Sequence, residues 1–466
     1  MRRLLVSLIA LTAIGLAAIW VRANPGSVQF IWQGYEVRIS GALFLLFAFI
    51  FAISLLSLAG LFRYIRDWPK RLRARRQRQR QEEVTHAVAS GMMALSDGRS
   101  GEAAQAALKA RKALPNDSLS LMLSAQAARL NGQYDEEEAH YRRMIGEDQS
   151  ESDGQTGLIG LRGLLRLALE KNDAHAVRVH AQRALTLAPK TSWALEAMFL
   201  LEAQKGHWDK AHHWLFELSK TGDLEKPEFN RRQAVLLVAA AQDLGATEQA
   251  EDRQQAVKNI QKALKLAPDF TPAFRLGARF LAGEKATQKR KLARQIEKNW
   301  KRHPNPELAK AYQQIYPGRS ALQQLKAIQK LTASKPQHIE SLYALAEAAI
   351  TARRWGLARV MLETEIAKKE TDRALDQRYY RLMAKLESGE NENETAARAW
   401  LDKALRAPAG PGWVSPMGEQ SDWQALCPHT GAFDAFEWQR GDENKKGVTL
   451  SATPSAKTTA LAPSKH

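Results

Sequence analysis

Apolar residues follow two regimes along this 466-residue chain. Over the first 62 positions they run almost unbroken. Residues 4–21 form an uncharged stretch of 18 and residues 39–62 a second of 24. At about 1.5 Å of rise per residue, each is long enough as a helix to cross a hydrocarbon layer of about 30 Å. From about 81 to 407 the apolar positions thin to the i, i+3, i+4 spacing of amphipathic helices, in a background rich in Ala, Leu, Glu, Lys, Arg and Gln. The last 26 residues, 441–466, carry Lys, Ser, Thr, Ala and Pro with few apolar groups, and are expected to be disordered.

The predicted organisation follows these shifts. Residues 1–62 form a membrane anchor with spans at about 4–21 and 39–62, joined by a short loop, 22–38. That loop carries Asn24-Pro25-Gly26 and Gln33-Gly34, and its alternating Val28, Phe30 and Trp32 suggest a brief extended hairpin. A basic juxtamembrane segment spans 63–81. A helical array follows over 82–408, then a Trp-rich C-terminal cap over 409–440 that covers the open end of the last repeat, and the tail. A competing reading takes residues 1–23 as a cleaved signal peptide, with Val21-Arg22-Ala23 as the cleavage site.

Charge fixes the orientation. The whole chain carries +18, and nine Lys/Arg against the single Asp67 lie between Arg63 and Arg80. By the positive-inside rule this collar places the C-terminal part in the cytoplasm. Arg63, Arg66, Lys70, Arg71, Arg73, Arg75 and Arg76 are the candidates for facing anionic lipid. The plainer reading is a topology signal alone. Nucleic acid is not expected as a partner, because no aromatic residue is interleaved after Trp68.

Within 82–408 the chain repeats itself. Three phrases close on proline in the same way: 110–115 (ARKALP), 182–189 (QRALTLAP) and 261–268 (QKALKLAP). Their prolines, Pro115, Pro189 and Pro268, are spaced by 74 and 79 residues, close to two lengths of a 34-residue repeat. Each phrase reads as the end of an amphipathic helix that proline stops. Tight turns punctuate the pattern. Gly206 supplies one, with Trp208 packing and Ala211 admitting a close helix; Gly132 with Tyr134, and Trp355 with Ala358, repeat the idea. This resembles the tetratricopeptide repeat, with eight degenerate candidate units between 86 and 408 and an interruption between 305 and 339. The predicted fold is therefore all-α: two N-terminal transmembrane helices followed by an α-solenoid of tetratricopeptide-like repeats. An ordinary all-helical domain without true repeats is the alternative.

A solenoid offers an open concave groove for other proteins. The chemistry of the chain agrees with a binding role. It has no glycine-rich phosphate loop, nucleophile elbow, His-Glu-x-x-His or Cys-x-x-Cys. One cysteine excludes an internal disulfide and any multi-cysteine metal site. No catalytic residue, resident cofactor or metal is expected. The one cofactor candidate is Cys427-Pro428-His429, since a Cys-Pro pair can present a thiolate to ferric haem; the plainer reading is a turn in the cap.

The order of two apolar stretches, basic collar and helical array resembles the HemY family of proteobacterial inner-membrane proteins. Local phrases carry the resemblance further, toward its alphaproteobacterial branch: 300–308 (WKRHPNPEL), 341–349 (SLYALAEAA) with Arg354-Trp355, 404–408 (ALRAP), Trp413, Trp423 and 430–438 (TGAFDAFEW). The resemblance implies a membrane-tethered scaffold associated with late haem (protohaem) biosynthesis, whose partners are haem-pathway enzymes and inner-membrane lipids. It implies no porphyrinogen-oxidising activity, for which a dinucleotide-binding fingerprint would be needed. Two alternatives stand beside it: a haem or porphyrin carrier, and an assembly or quality-control adaptor for other envelope proteins.

Overall fold

The computed structural model describes residues 12, 19, 26–32, 35–146, 154–246, 249–281, 285–366, 375–415, 418–420 and 422–440. The first expected span, 4–21, lies outside the described residues except for Thr12 and Ile19, as does the tail at 441–466. The chain divides into two compact units, Met1–Gln133 and Tyr134–His466.

The first unit opens with the hairpin that the alternation around Val28 suggested. Strands β1 (Ser27–Trp32) and β2 (Tyr35–Ser40) pair antiparallel from Ser27 opposite Ser40 to Trp32 opposite Tyr35. The hairpin is closed at its base by the Gly41 amide, which donates to the Gly26 carbonyl at 2.6 Å. A Cβ on Gly41 would come within 2.7 Å of that oxygen, so the contact demands glycine. Helix α1 (Gly41–Ser96) then runs 56 residues, about 84 Å at the usual rise. The sequence suggested the second apolar stretch, a basic collar and a first repeat as separate pieces; the stretch from Gly41, the collar and the opening helix of that repeat form one continuous helix. Among the described residues no helix is long and apolar enough to cross a membrane. The uncharged first part of α1 nevertheless turns Leu46, Phe47, Phe51, Leu55 and Leu58 outward, each more than half exposed. Of the seven collar cations named above only the helical backbone is described.

The end of α1 packs on α2 (Ser100–Ala113) and α3 (Ser118–Leu130) through small residues. Ala103, Ala106, Ala107 and Ala110 are buried, and Gly91 lies where a Cβ would strike the Leu123 methyl at 2.7 Å. Short side chains let the axes approach, and Val84, Val88 and Leu123 fill what remains. Asp117 caps α3 by accepting from the Ser120 amide.

The second unit is a run of helices in sequential contact: α4 (Tyr134–Ile145), α5 (Gly154–Glu170), α6 (Ala174–Leu187), α7 (Ser192–Gln204), α8 (Trp208–Ser219), α9 (Lys226–Leu244), α10 (Ala250–Leu266), α11 (Thr271–Leu281), α12 (Ala286–Arg302), α13 (Pro306–Gln314), α14 (Ala321–Thr332), α15 (Ile339–Thr351), α16 (Trp355–Arg359, continued by a π-helical stretch, Val360–Ile366), α17 (Gln377–Glu390) and α18 (Glu394–Arg406). Most pack mainly on their neighbours in sequence, while α13 packs mainly on α11, the helix two places before it; contacts of this short range are the packing of an α-solenoid.

The repeat is written into the turns. Gly98, Gly132, Asn172 and Gly206 all take positive φ, and successive members are 34, 40 and 34 residues apart. Each ends its helix with the same pair of bonds; at Gly206 its amide reaches Ala203 O and the His207 amide reaches Glu202 O. Arg353 and Glu392 occupy the corresponding position after α15 and α17. Glycine is one way to make this turn; Asn172 and Arg353 make it with the same pair of bonds, and Glu392 takes the same positive φ with a different bond, from Asn393 N to Glu387 O.

Residues 411–440 add the second departure from a purely helical chain. Strands β3 (Pro411–Ser415), β4 (Gly418–Gln420) and β5 (Glu437–Arg440) form a small antiparallel sheet in the order β4-β3-β5. The array is thus all-α, with a hairpin before it and a three-stranded element after it.

Candidate docking groove

The first helices of successive pairs, α9, α11 and α13, present their faces to one cavity of about 670 Å3. Val238 and Gln242 come from α9, Pro272, Leu276 and Arg279 from α11, and Gln314 from α13. Alternate helices sharing one concave face is the geometry a solenoid groove requires.

Ion pairs join the first helices along this run. Arg232 on α9 reaches both oxygens of Glu196 on α7 at 2.9 and 2.8 Å. Arg275 on α11 pairs with Glu307 on α13 at 2.8 Å, and Arg378 on α17 with both oxygens of Glu340 on α15 at 2.8 and 3.1 Å. Each rung links residues about one repeat length apart. Arg378 also pairs with Asp376 and lies 4.2 Å over the Tyr343 ring, and these carboxylates hold its guanidinium above its ordinary range against the opposing effect of burial. Planar two-point pairs of this kind fix geometry as well as charge.

A further buried carboxylate, Glu202 on α7, accepts from Arg178 at 2.6 Å and lies 2.8 Å from the Nδ1 of His207. Burial pushes its pKa up, but the hydrogen bonds from His207 and Arg178 outweigh that and hold it below the usual carboxylate range.

The groove already holds part of its own chain. The C-terminal segment was expected to cover the open end of the last repeat. It begins there, where Gln377 donates to Pro408 O and Ala407 O, but then runs back along the first helices. Asp434 accepts from Arg231 on α9 at 2.8 and 3.0 Å. Gln204 on α7 donates to Gly431 O at 3.1 Å. The Phe433 ring meets Phe199 edge-on at 5.0 Å, and Trp423 meets Phe270 at 5.2 Å, with the Arg231 guanidinium 4.2 Å over that same ring. The segment is a strap laid across α7, α9 and α11. Two faces of apolar residues, one on the array and one on the strap, find each other here, which explains why this element departs from the end.

The strap also walls the cavity, through Trp413, Asp422 and Trp423. Trp423 is 7 % exposed, and its indole N–H has no hydrogen-bond partner among the described residues. Arg279 is exposed at the same cavity.

The residues singled out from the sequence take two kinds of position. Gly132 and Gly206 hold the left-handed turns. Ala211 and Ala358 are fully buried at close helix contacts, while Trp208, half-buried, donates to Asp243 at 2.6 Å. Trp355 is half-buried against Gly389, and Tyr134 stands largely exposed at the start of α4. None of them lines the cavity. Cys427 has no exposed surface. Burial pushes its thiol pKa up, but donation from Thr430, the His429 amide and the Ser415 hydroxyl brings it below the ordinary value. His429, by contrast, is exposed. Sequence reasoning missed the cavity residues, the ion-pair rungs and Arg231; only the Phe/Trp content of 413–438 hinted at a docking element.

Several known proteins are similar to this chain. A probable magnetosome protein, Mms48, of Magnetospirillum gryphiswaldense is 25 % identical over 467 aligned positions, covering 97 % of this chain and 96 % of that one. Among solved structures, Naa15/Naa10 bound to HypK-THB aligns with a TM-score of 0.37 and 15 % identity, over 75 % of this chain and 58 % of that chain, so little more than half of that protein is matched. Yeast Tom70 aligns with a TM-score of 0.29 and 16 % identity, over 70 % and 69 %. At such scores the solenoid rests on the helix packing described above. The family model for the HemY protein N-terminus matches residues 26–132, which hold the hairpin, α1, α2 and α3. Residues 26–132 are therefore similar to the N-terminal region of HemY proteins, the family that the sequence resembles.

Proposed function

We propose that this protein is a membrane-tethered scaffold that binds other proteins through the groove formed by α9, α11 and α13, and that it is not an enzyme. The observation that carries the reading is the cavity in that groove. It is open and peptide-sized, and is walled by apolar side chains, Arg279 and the Trp423 side chain. The charged residues nearby are tied into structural pairs, Arg275 with Glu307 and Arg231 with Asp434, which suits adhesion better than proton transfer.

The tether is supported by the uncharged stretch at 41–62 with its outward Leu and Phe side chains, and by the collar that follows it. We place it in the bacterial inner membrane, with the array in the cytoplasm. The partners proposed are enzymes of late haem biosynthesis, a proposal that rests on the HemY resemblance and the match over residues 26–132. The relative named as a probable magnetosome protein favours a second setting, in which the same scaffold assembles proteins on another bacterial membrane.

The test is site-specific photocrosslinking of the full chain in its native membrane. A photoreactive residue at Arg279 or Gln314 is expected to capture a haem-pathway enzyme, and one at Lys262 on the outer helix α10 is not. Equal capture from all three positions, or none from the groove, contradicts the reading.

A further inference from the structure

A second cleft, of about 550 Å3, opens between two outer helices, α14 and α16. Its floor is apolar: Leu325 is buried, Leu322 is exposed, and Trp355 and Leu357 are half-buried. The Trp355 ring is braced on α17, since a Cβ added at Gly389 would meet its Cη2 at 2.6 Å. The floor is therefore a fixed surface.

Its rim is cationic. Lys326, Arg353 and Arg354 are all exposed at the cleft. The one carboxylate lining it, Glu390, is taken up by Arg359, whose Nε lies 3.1 Å from it. Among the described residues no carboxylate pairs with the three rim cations. Two other arginines that border cavities in this array, Arg231 and Arg275, are paired.

The backbone adds an independent observation. Arg353 takes φ +53°, at the turn position that Gly98, Gly132 and Gly206 occupy in other pairs. A side-chain-bearing residue is strained in that conformation, where glycine would not be. The chain carries a strained turn here and gains a long cation at the mouth of the cleft.

We propose that this cleft docks an acidic, amphipathic segment of a partner protein. Three cations with no carboxylate partner among the described residues call for carboxylates, and a floor of Leu and Trp calls for apolar side chains on the same segment. A small inorganic anion would meet the rim and leave the floor wet. The site uses outer helices and stands apart from the inner groove, so neither surface obstructs the other.

The experiment uses the full chain in detergent micelles and a fluorescein-labelled helical peptide with Glu on one face and Leu on the other. A control peptide carries Lys in place of Glu. The acidic peptide is expected to bind, and to weaken as salt screens the rim. Arg354→Glu should weaken it at least tenfold. Arg353→Gly should weaken it several-fold while the thermal midpoint stays level or rises, because glycine suits that turn; loss of binding through unfolding is thereby separated from loss of charge. Lys262→Glu, on α10, should leave binding unchanged. The proposal is overturned if the acidic peptide does not bind or the lysine peptide binds as tightly. It is also overturned if Arg353→Gly and Arg354→Glu change only the binding of dihexanoyl phosphatidylglycerol.

Discussion

Arg231 and Asp434 are 203 positions apart, and their side chains form a two-point ion pair with bonds of 2.8 and 3.0 Å. The pair fastens the C-terminal strap to α9. The Arg231 guanidinium also covers the Phe270 ring, so one side chain joins the strap, a first helix and the turn between α10 and α11.

Asp434→Ala should therefore loosen the strap without unfolding the array. The lost pair is half-exposed, and its removal should cost about 1–2 kcal/mol. Limited proteolysis should cut within 411–440 sooner, and fluorescence from Trp413, Trp423 and Trp438 should shift to the red. Removing 409–440 altogether should do more harm, since it bares Phe199 and Phe270. An equally soluble and stable truncated chain would show that the strap does not cover the array.

The left-handed turns make opposite predictions for opposite residues. Gly206→Ala places a Cβ at φ +70° and should destabilise by about 1–2 kcal/mol. Glu392→Gly relieves φ +47° and should raise the thermal midpoint, by up to about 1 kcal/mol of added stability. Thermal melts of the two variants against the parent decide the matter.

Helices α4 and α5 touch through glycine. A Cβ on Gly163 would fall 2.5 Å from the Tyr141 ring, which is itself buried. Gly163→Ala should cost about 1–3 kcal/mol through overpacking. Tyr141→Phe keeps the ring and should not rescue it, whereas Tyr141→Ala in the same chain should recover part of the loss. Midpoints of the single and double variants give the coupling directly.

Acid should act through Glu202. Its folded pKa lies below the usual value, so the stability it contributes is complete above the ordinary carboxylate range near 4.3 and is lost as pH falls through the lower folded value. Glu202→Gln should lower stability at neutral pH, because Arg178 and His207 lose their shared partner, and should flatten the loss below about pH 4. Parallel denaturant titrations at pH 7 and pH 4 measure both effects.

Much of the array was legible in the chain. The proline-closed phrases fall at the ends of α2, α6 and α10, and Gly132 and Gly206 sit in the turns that their neighbours advertised. Local chemistry decides such features, because proline stops a helix and glycine tolerates positive φ wherever they stand. Asn172, Arg353 and Glu392 take positive φ without glycine, and so leave no local mark. The unbroken α1 was hidden for a related reason. Hydropathy changes sharply at 62, yet the backbone hydrogen bonds of a helix are indifferent to whether side chains meet lipid, water or protein. The strap was the least legible element. Its residues announced an apolar face, but the surface that receives it, from Phe199 to Phe270, lies about 150–235 positions earlier and follows no periodicity. The candidate site suffered likewise, since the cavity is assembled from three helices and the strap at once.

The scaffold reading is tested most directly by hydrogen exchange on the full chain, alone and in the complex purified from native membranes. It predicts slowed exchange in α9, α11 and α13 around the cavity when partners are bound, with the outer helices α8, α10 and α12 unchanged. Protection confined to those outer helices, or no protection anywhere in the array, would contradict it.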